Sequence, residues 1–369
     1  LEGSFMIDWS GDLKWIEDCH GDTYDVVPSG DVVYQASHKH YCGNLGTGGF
    51  PQTEPWSFHH GTAVTKFATG TSKADIYDYN DHPGQPSPTL LNFFPDFVPG
   101  NYTGQNQAPW DVETNGDYVV YGGEFLRVNG QGQQGIVRFA KKSIAPQKQG
   151  PRVGGADLKV KVRSVAAGTV RVSWPGTYDR DNATLTYQVF RGDTGNKIWE
   201  GTQTARFWEV QPMGVTDTGL AQGSSTQYLL RVRDSSGNQV SSGWIPVTVG
   251  GSGSVGNYAN RVLEDGATKF WRLSETSGQV IDWAGIDDTN PGSGVTRGTA
   301  GAMQDGSGNA ATTFKGNASS VTVSPSLVWG PQKFSVEAWF KTSSTGGIVN
   351  FGDKASGDTS RMASQARLK

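Results

Sequence analysis

The sequence predicts an all-β fold, in which short antiparallel strands are joined by many turns. Three observations indicate this class. Short segments such as Thr169–Trp174 alternate apolar and polar side chains, which is the pattern of a half-buried strand. The 369 residues include 51 glycines and 17 prolines, which favour turns, and 11% aromatic residues, which favour strands. Finally, one β-rich unit occurs twice in the first part of the chain.

The two copies of this unit begin at Asp25–Tyr34 (DVVPSGDVVY) and at Asp111–Phe125 (DVETNGDYVVYGGEF). Each copy has an alternating strand, a tight turn containing glycine and a second strand. The segments that follow are also similar, since Ala63–Ala68 (AVTKFA) matches Gly135–Ala140 (GIVRFA). The first part of the chain is therefore predicted to be one unit repeated.

A repeat of about 40 to 50 residues with about four short strands is typical of a β-propeller blade. Residues 1–148 are therefore predicted to form two blades, with a long loop insertion near residues 77–104. Closed propellers need about four to eight blades, so we expect the rest of a longer polypeptide, or further copies, to complete the ring. The insertion carries aromatic side chains that either stack on sugar rings or pack the loop onto the blade: Tyr77, Tyr79, Phe93, Phe94, Phe97 and Tyr102.

Composition and charge exclude two classes of partner. The formal net charge of −4 provides no basic surface for nucleic acid. No apolar stretch approaches the length of about 18 residues that a membrane-spanning helix needs. The low proportion of charged residues, 18%, together with the many glycines and aromatic residues, is typical of extracellular β proteins.

Cys19 and Cys42 are the only cysteines, and they flank the hairpin of the first copy. A single pair of cysteines in a glycine-rich, extracellular β protein predicts a disulfide. Two interpretations are open for the polar residues around them. They either hydrogen-bond at the edge of the blade or bind a metal ion, since imidazoles two residues apart on a strand share a face. The candidate ligands are His20, Asp22, His38 and His40.

A second candidate cation site lies in the turn sequence YDRDNATLTY, which contains Asp179, Asp181 and Asn182. Closely spaced oxygen ligands suit Ca²⁺. Ordinary turn chemistry, in which Asp and Asn side chains bind their own backbone, is the alternative. Because Ca²⁺ takes about six to eight oxygens and three residues are in view, turn chemistry is favoured over a calcium site.

Residues 152–250 contain about seven short strands, as expected for a sandwich of the immunoglobulin class. The segments VSW at Trp174, TYQVFR at Tyr187 and STQYLLRVRDSSGN around Tyr228 resemble a fibronectin type III domain. The resemblance implies that Tyr228 is the tyrosine-corner residue of that family. Such domains serve as spacers or ligand surfaces, so the resemblance assigns no activity.

Residues 256–369 resemble the first half of a LamG, or concanavalin A-like, jelly-roll domain. The similarity is carried by Thr268–Glu275 (TKFWRLSE), by Phe334–Thr342 (FSVEAWFKT) and by Gly346–Gly352 (GGIVNFG). In FSVEAWF, apolar and polar residues alternate, which predicts a strand. The resemblance implies binding of glycans or proteins, often through Ca²⁺. Four aspartates in the glycine-rich loops are expected to be solvated turn residues: Asp282, Asp287, Asp288 and Asp305.

The order of these three segments resembles modular secreted or surface-attached proteins of high-GC Gram-positive bacteria. The resemblance implies an extracellular location, either secreted or associated with the cell wall. It is specific for architecture and says little about activity.

The favoured function is a non-enzymatic, extracellular binding or adhesion protein that contacts polysaccharide or a surface glycoprotein. No arrangement of nucleophile, base and acid is visible, which favours binding over catalysis. One alternative is the non-catalytic part of a secreted carbohydrate-active hydrolase, and another is a self-assembling surface protein. If a complete propeller carried a glycosidase site, its carboxylate pair would come from the acidic residues of the two copies: Asp22, Asp25, Asp111, Glu113 and Glu124.

Overall fold

The computed structural model shows an all-β protein, with 41% of the described residues in strands and 4% in helices. The strands form several antiparallel sheets, none of which closes into a barrel within the part of the chain that is described. The predicted all-β class is therefore confirmed. The structure describes residues 2–145, 149–304, 310–315, 334–343, 347–352 and 362–367.

The N-terminal region, residues 2–145, is built from small sheets of two or three strands. The strands are β1 (Ser4–Ile7), β2 (Leu13–Glu17), β3 (Thr23–Ser29), β4 (Val32–Lys39), β5 (His59–Thr65), β6 (Gly70–Thr71), β7 (Pro86–Ser87), β8 (Phe97–Pro99), β9 (Asp111–Thr114), β10 (Tyr118–Gly122), β11 (Phe125–Val128), β12 (Gln131–Gly132) and β13 (Ile136–Ala140). They form the sheets β1-β2, β3-β4-β5, β6-β7, β12-β11-β8 and β13-β10-β9.

The sequence repeat corresponds to two similar sheets. In β3-β4-β5 and in β9-β10-β13, the second strand lies between the first and the third. Asp25 pairs with Ala36 in one sheet, and Asp111 pairs with Gly122 in the other. Both pairs are separated by the same number of residues. The first two strands of the copies therefore correspond residue for residue, as the sequence predicts.

The third strands correspond in a different register from the one that the sequence match suggests. The backbone N–H of Lys66 donates to the carbonyl of Asp31, and the N–H of Lys141 donates in the same way to Asp117. Lys66 is thus equivalent to Lys141, whereas the match of AVTKFA with GIVRFA places it opposite Arg138. That alignment is wrong by three residues. It matched side-chain types, whereas the backbone hydrogen bonds decide the register.

Two separate apolar clusters stabilise the N-terminal region. One contains the disulfide and packs around Trp15, Phe50 and Leu90. The other packs around Phe97 and Tyr121 and joins the two repeat sheets. Neither cluster is large, so polar contacts and the disulfide carry a larger share of the stability here than in a single continuous core.

The middle region, residues 149–256, has two antiparallel sheets that share one core. After a short 3-10 helix at Gly155–Leu158, the strands are β14 (Lys161–Ala166), β15 (Thr169–Trp174), β16 (Thr184–Arg191), β17 (Lys197–Thr204), β18 (Met213–Asp217), β19 (Ser225–Arg233), β20 (Gln239–Ser241) and β21 (Ile245–Thr248). One sheet has the order β14-β15-β18. The other has the order β17-β16-β19-β20, and β21 also pairs with β19. Trp174, Tyr187 and Tyr228 are fully buried at the centre.

Two buried tyrosines of this core make hydrogen bonds through their hydroxyls, one to an ion pair and the other to the backbone. The hydroxyl of Tyr228 donates to the carboxylate of Asp217 at 2.7 Å, and Asp217 also pairs with Arg191. A tyrosine corner binds an upstream backbone group, so the bond of Tyr228 differs from that expectation. Tyr187 makes a bond of that kind, since its hydroxyl donates to the carbonyl of Thr177 at 3.2 Å.

The C-terminal region starts with a helix and continues with loops and two small hairpins. Its elements are α1 (Asn257–Glu264), β22 (Val295–Ala300), β23 (Ala310–Phe314), β24 (Gly347–Gly352) and β25 (Met362–Arg367). The sheets are β22-β23 and β24-β25. Across the described residues, no helix has both the length and the apolar character needed to cross a bilayer.

The predicted strands of the C-terminal region are found only in part. The segment GGIVNFG contains β24, but residues 334–342 form no strand and are exposed, and residues 268–275 make a single bridge between Trp271 and Asp282. An alternating pattern becomes a strand only when a neighbour satisfies its backbone groups.

The aspartates of this region are not all solvated. Asp282 and Asp287 are buried, so the expectation of solvated turn residues is wrong for both. Asp288 accepts bonds from Lys161 and Arg163 of the middle region. Each carboxylate is held by cationic or backbone donors, a role that the loop sequence does not reveal. Asp305 lies outside the described residues.

Candidate functional site

The disulfide organises the first hairpin. Cys19 and Cys42 are joined with an S–S distance of 2.03 Å, and both are buried. Next to it, the backbone N–H of His20 donates to the carbonyl of Tyr41, and that of His40 donates to the carbonyl of His20. The bridge therefore lies directly beneath a segment that carries several aromatic and imidazole rings.

Ten rings form an unbroken series over this hairpin and the loops beside it. Consecutive ring centroids lie 4.0 to 6.2 Å apart, which is the range of favourable aromatic contacts. We call this series the aromatic face. In order, its members are Trp110, Tyr24, His38, Phe58, Trp56, His40, Tyr79, Tyr77, Tyr41 and His20.

The outer members of the aromatic face are accessible to a ligand. The Trp56 and Phe58 side chains are 45% and 44% exposed, and Tyr79 is half-buried. His40 lies beneath Trp56, with the two rings stacked at 4.0 Å and an angle of 13°. Because His40 covers one side of the indole, the other side of Trp56 faces solvent. The face thus has an exposed aromatic surface on a buried support.

The alternation of β4 explains why the imidazoles reach this face. His38 and His40 point to the same side and both contact Phe58. Lys39, between them, points inward, where its Nζ lies 2.6 Å from a carboxylate oxygen of Glu17. Both members of this ion pair are fully buried. The strand therefore supplies Lys39 to the buried charge pair on one side, and part of the aromatic face on the other.

Hydrogen bonds fix the orientation of several rings. Gln52 accepts a bond of 2.5 Å from the Tyr79 hydroxyl, and its Oε1 lies 3.0 Å from Nδ1 of His40. Nδ1 of His38 is hydrogen-bonded to the hydroxyl of Tyr24. Side chains held in this way lose little further freedom when a ligand binds, so the aromatic face is organised in advance.

Four titratable rings of the aromatic face are uncharged at neutral pH. Burial lowers the pKa of His38 and of His40, so both imidazoles are uncharged at neutral pH. Burial also raises the pKa of the Tyr24 and Tyr41 hydroxyls, which stay protonated. Neutral rings with hydroxyl and imidazole groups at their edges suit an uncharged, hydroxyl-rich ligand better than an ion.

The predicted metal ligands of this region are neighbours but do not form a common set of donors. His20, His38 and His40 contribute rings to the aromatic face, and Asp22 is exposed. Among the described residues, one group of three potential ligands has donor atoms within 4.8 Å of one another: Glu17, Cys19 and Cys42. Its two sulfurs form the disulfide, and Glu17 is paired with Lys39. Metal binding by the histidines stays a prediction.

The second predicted cation site is assembled in the middle region. The N–H of Asp181 donates to Oδ1 of Asp179, and Nδ2 of Asn182 donates to Asp181. Asp179 is fully buried, and burial together with the neighbouring Asp181 raises its pKa well above the usual range. The bond from Asp181 to Asp179 is ordinary turn chemistry. Calcium binding here also stays a prediction.

The acidic residues considered for catalysis are held in structural contacts. Asp25 accepts a bond from the N–H of Val112, and its carboxyl is hydrogen-bonded to that of Asp111, whose pKa is raised by burial and then by Asp25. Glu124 binds Thr103, and Asp22 and Glu113 are exposed. Carboxyls that share a hydrogen bond lie closer than the spacing of about 5 Å or more that glycosidases use.

A cleft of about 230 Å³ lies where the N-terminal and middle regions meet. His59 lies in it against Phe207, with ring centroids 4.7 Å apart, and burial lowers the pKa of His59 to about 4. The loop of residues 51–58 lines the cleft and also carries Trp56 of the aromatic face. The lining residues are Pro51, Thr53, Ser57, His59, Phe207, Trp208 and Val210.

Comparison with known proteins does not identify a family for this chain. No family model matches the sequence, and no curated protein matches it. The function of the chain is therefore inferred from the geometry of the aromatic face.

The sequence analysis does not identify the two exposed rings at the centre of the aromatic face. Trp56 and Phe58 were not among the candidate residues, although they alternate in the segment PWSFHH and precede two histidines. That alternation is the signal that identifies them. Of the insertion aromatics considered as sugar contacts, Tyr77 and Tyr79 belong to the face, whereas Phe93 and Phe94 pack against buried residues.

Proposed function

We propose that this chain is a non-enzymatic, extracellular binding protein and that its aromatic face contacts polysaccharide. The observation that carries the proposal is the unbroken series of ten rings, in which Trp56 and Phe58 are exposed while His40 and Tyr41 form the support. Contiguous exposed aromatic surface on a folded protein marks a site of interaction.

The chemistry of the face favours a glycan. Sugar rings present apolar C–H faces and polar edges, and aromatic rings with polar edges match both. The imidazoles of His38 and His40 and the hydroxyl of Tyr79 supply hydrogen-bonding groups beside the indole of Trp56.

The modular architecture supports the same role. We propose that the sheets β3-β4-β5 and β9-β10-β13 are two propeller blades, completed by a longer polypeptide or by further copies. The middle region is proposed to be a fibronectin type III-like sandwich, supported by two sheets around the core of Trp174 and Tyr187. The C-terminal region is proposed to be part of a LamG domain. Modules of these kinds display surfaces outside the cell, where the disulfide is stable.

The experiment is a sedimentation assay with insoluble chitin, cellulose and bacterial cell-wall polysaccharide. We compare the wild-type chain with Trp56→Ala and with a matched control, Trp9→Ala, since Trp9 is also exposed but lies in the hairpin of β1 and β2. We expect binding to at least one polymer, a loss of about tenfold or more in Trp56→Ala, and no loss in Trp9→Ala. Equal binding by both variants contradicts the proposal.

A polysaccharide and a surface glycoprotein present the same glycan chemistry. Competition with soluble oligosaccharides tests whether the protein recognises that glycan. Soluble oligosaccharides prepared from the bound polymer are expected to displace the protein from that polymer. If oligosaccharides do not compete while a deglycosylated cell-surface protein still binds, the ligand is a polypeptide and the proposal of glycan recognition is wrong.

A further inference from the structure

A lysine and an aspartate lie in direct contact in the interior of the C-terminal region. The Nζ atom of Lys269 touches Oδ2 of Asp287. The side chains are 13% and 6% exposed, so both are largely removed from water. An ion pair in such a place has lost most of the hydration that each charge has in solution, and that loss is costly.

A second carboxylate, that of Asp282, holds the two partners together. Its Oδ1 accepts the backbone N–H of Phe270, the residue after Lys269, at 2.9 Å. Its Oδ2 accepts the backbone N–H of Asp287 itself at 3.1 Å. One buried side chain thus fixes both segments that carry the pair. Bonds from Ala284 and Gly285 to Oδ1 make this arrangement rigid.

The surroundings shield the pair further. The indole N–H of Trp271 donates to the carbonyl of Asp287 at 2.9 Å, and Nζ of Lys269 lies 6.0 Å from the centre of the same indole. On the other side of the turn, the guanidinium of Arg171 donates to the carbonyl of Ala284 at 3.0 Å. The site is therefore closed by an aromatic ring and by the middle region.

Burial favours the neutral form of the Lys269 amine. It lowers the pKa of Lys269, while the negative charge of Asp282 opposes that change in part. A proton that moves from the ammonium to the carboxylate of Asp287 converts the ion pair into an amine and a carboxylic acid. These are the reactive forms for amide formation, because the amine then has a free electron pair.

We propose that Lys269 and Asp287 form an intramolecular isopeptide bond. Nζ of Lys269 attacks Cγ of Asp287, the new N–C bond forms, and the C–O bond to the acid hydroxyl breaks. The hydroxyl leaves with one proton from nitrogen as water, so the reaction releases one water molecule and needs no oxidant or further reactant. Asp282 acts as a positioning residue that holds the two segments, and its negative charge stabilises the positive charge that develops on the amine nitrogen during the attack.

Two physical effects favour this condensation. Reacting groups held in contact have effective concentrations of about 10⁵ to 10⁸ M, which offsets the low tendency of amines and acids to condense in water. The product also contains no charge, so the cost of keeping an ammonium and a carboxylate in the interior disappears. A covalent link between residues 269 and 287 then closes the loop that joins the two segments.

The buried pair of Lys39 and Glu17 provides an internal comparison. It is as well shielded, but the carboxylate of Glu17 accepts bonds from Ser4 and Gln35, which stabilise its charged form. The group beside Lys39 is the amide of Gln35, whereas the group beside Lys269 is a second carboxylate. We therefore expect the reaction at Lys269 and not at Lys39.

The test is the intact mass of the reduced, denatured full-length chain. The proposal predicts a mass lower than that of the sequence by one water molecule. It also predicts a branched tryptic peptide in which Lys269 is joined to Asp287, while trypsin cleaves normally after Lys39. A full sequence mass with Lys269 in a linear peptide overturns the proposal.

Variants locate the link and act as controls. Lys269→Arg and Asp287→Ala are each expected to have the full mass of their sequences. Lys161→Arg, which alters a neighbouring ion pair to Asp288, is expected to retain the loss of water. Loss of water that persists in Lys269→Arg shows that another pair has reacted and contradicts the assignment. Because the wild-type mass is decisive by itself, poor folding of a variant does not obscure the result.

Discussion

The N-terminal and middle regions are both all-β, but they are stabilised in different ways. The middle region has one continuous apolar core around Trp174, Tyr187 and Tyr228. The N-terminal region has two smaller clusters, a disulfide, and a fully buried ion pair between Lys39 and Glu17. Apolar burial needs little geometric precision, whereas buried charges are stable only when each partner is in place.

This difference explains where the candidate site lies. A region held by a disulfide and by hydrogen bonds can leave large aromatic side chains at its surface, because it does not need them all in its core. Trp56 and Phe58 are examples, and both are exposed. The middle region buries Trp174 instead. We therefore interpret the N-terminal region as the binding module and the middle region as a support.

The largest effect is expected from breaking the buried ion pair. Lys39→Met leaves Glu17 charged and buried, and we expect a loss of about 3–5 kcal/mol in the free energy of unfolding of the N-terminal region. The double variant Lys39→Met with Glu17→Gln removes both charges and should recover much of this loss. Calorimetry of the full chain measures both. Equal losses in the single and double variants would show that the pair is not the source of the stability.

A comparable loss in the other region requires removal of core volume. Trp174→Ala should reduce the stability of the middle region by about 3–5 kcal/mol, because the indole is fully buried between the two sheets. The calorimetric transition that it lowers should differ from the one lowered by Lys39→Met. If both substitutions shift the same transition, the two regions unfold as one unit and the contrast between them fails.

Reduction of the disulfide should act on the N-terminal region alone. The bridge closes a loop between residues 23 positions apart, and its loss should lower stability by about 3 kcal/mol through the greater freedom of the unfolded chain. The measurement is a thermal scan with and without reductant, with the double variant Cys19→Ser and Cys42→Ser as the matched control. A shift of the transition that Trp174→Ala also shifts would be inconsistent with this assignment.

Acid should also destabilise the N-terminal region selectively. Burial lowers the pKa of His59 and His60 to about 4, so the folded state binds fewer protons than the unfolded state at pH values below about 6.5. Stability is complete above that pH and falls as the pH drops toward 4. At pH 5 the loss is about 2 kcal/mol for each histidine. The measurement is the unfolding temperature near pH 7.5 and near pH 5, with His60→Asn expected to reduce the difference.

Asp179 gives the middle region the opposite dependence, which provides an internal control. Its pKa is raised by burial, so the folded state binds more protons than the unfolded state between the two pKa values. The stabilising effect of its protonation is present at low pH and is lost as the pH rises through the raised pKa. Asp179→Asn should remove this slope. If the two regions respond to acid with the same sign, the assignment of these groups is wrong.

The smallest expected effect on stability is at the candidate site itself. Trp56→Ala removes a side chain that is 45% exposed and loses its stacking on His40, so it should lower the free energy of unfolding by about 1 kcal/mol, well below the loss for Trp174→Ala. Chemical denaturation of the variant tests this. A loss comparable to that of Trp174→Ala would mean that Trp56 supports the fold, and a binding defect would then have no specific meaning.

Local sequence patterns predicted part of this structure. The alternation in Thr169–Trp174 and the two copies at Asp25 and Asp111 identified strands correctly, because side-chain period and turn residues are local properties. The predicted strand at residues 334–342 is not formed, since strand formation depends on a partner that is distant in sequence. The register of the third repeat strand also depends on distant backbone contacts.

The candidate site was also predictable only in part, because local patterns reveal the spacing of side chains along a strand but not contacts between distant segments. The spacing of His38, in β4, and His40, directly after its end, correctly predicted that both imidazoles lie on one side. The approach of Tyr24 from β3 and of Trp56 and Tyr79 from separate loops could not be read from the sequence, because it follows from tertiary packing. Likewise, the burial of Asp282 and Asp287 follows from tertiary contacts that the local sequence does not reveal.

The most direct test of the account follows the indole N–H signals by nuclear magnetic resonance during titration with soluble oligosaccharide from the bound polymer. The chain has 12 tryptophans, and single substitutions assign their signals. We predict shifts for Trp56 and Trp110 of the aromatic face, and none for Trp174 in the core of the middle region. Shifts confined to tryptophans outside the aromatic face would contradict its role as the binding surface.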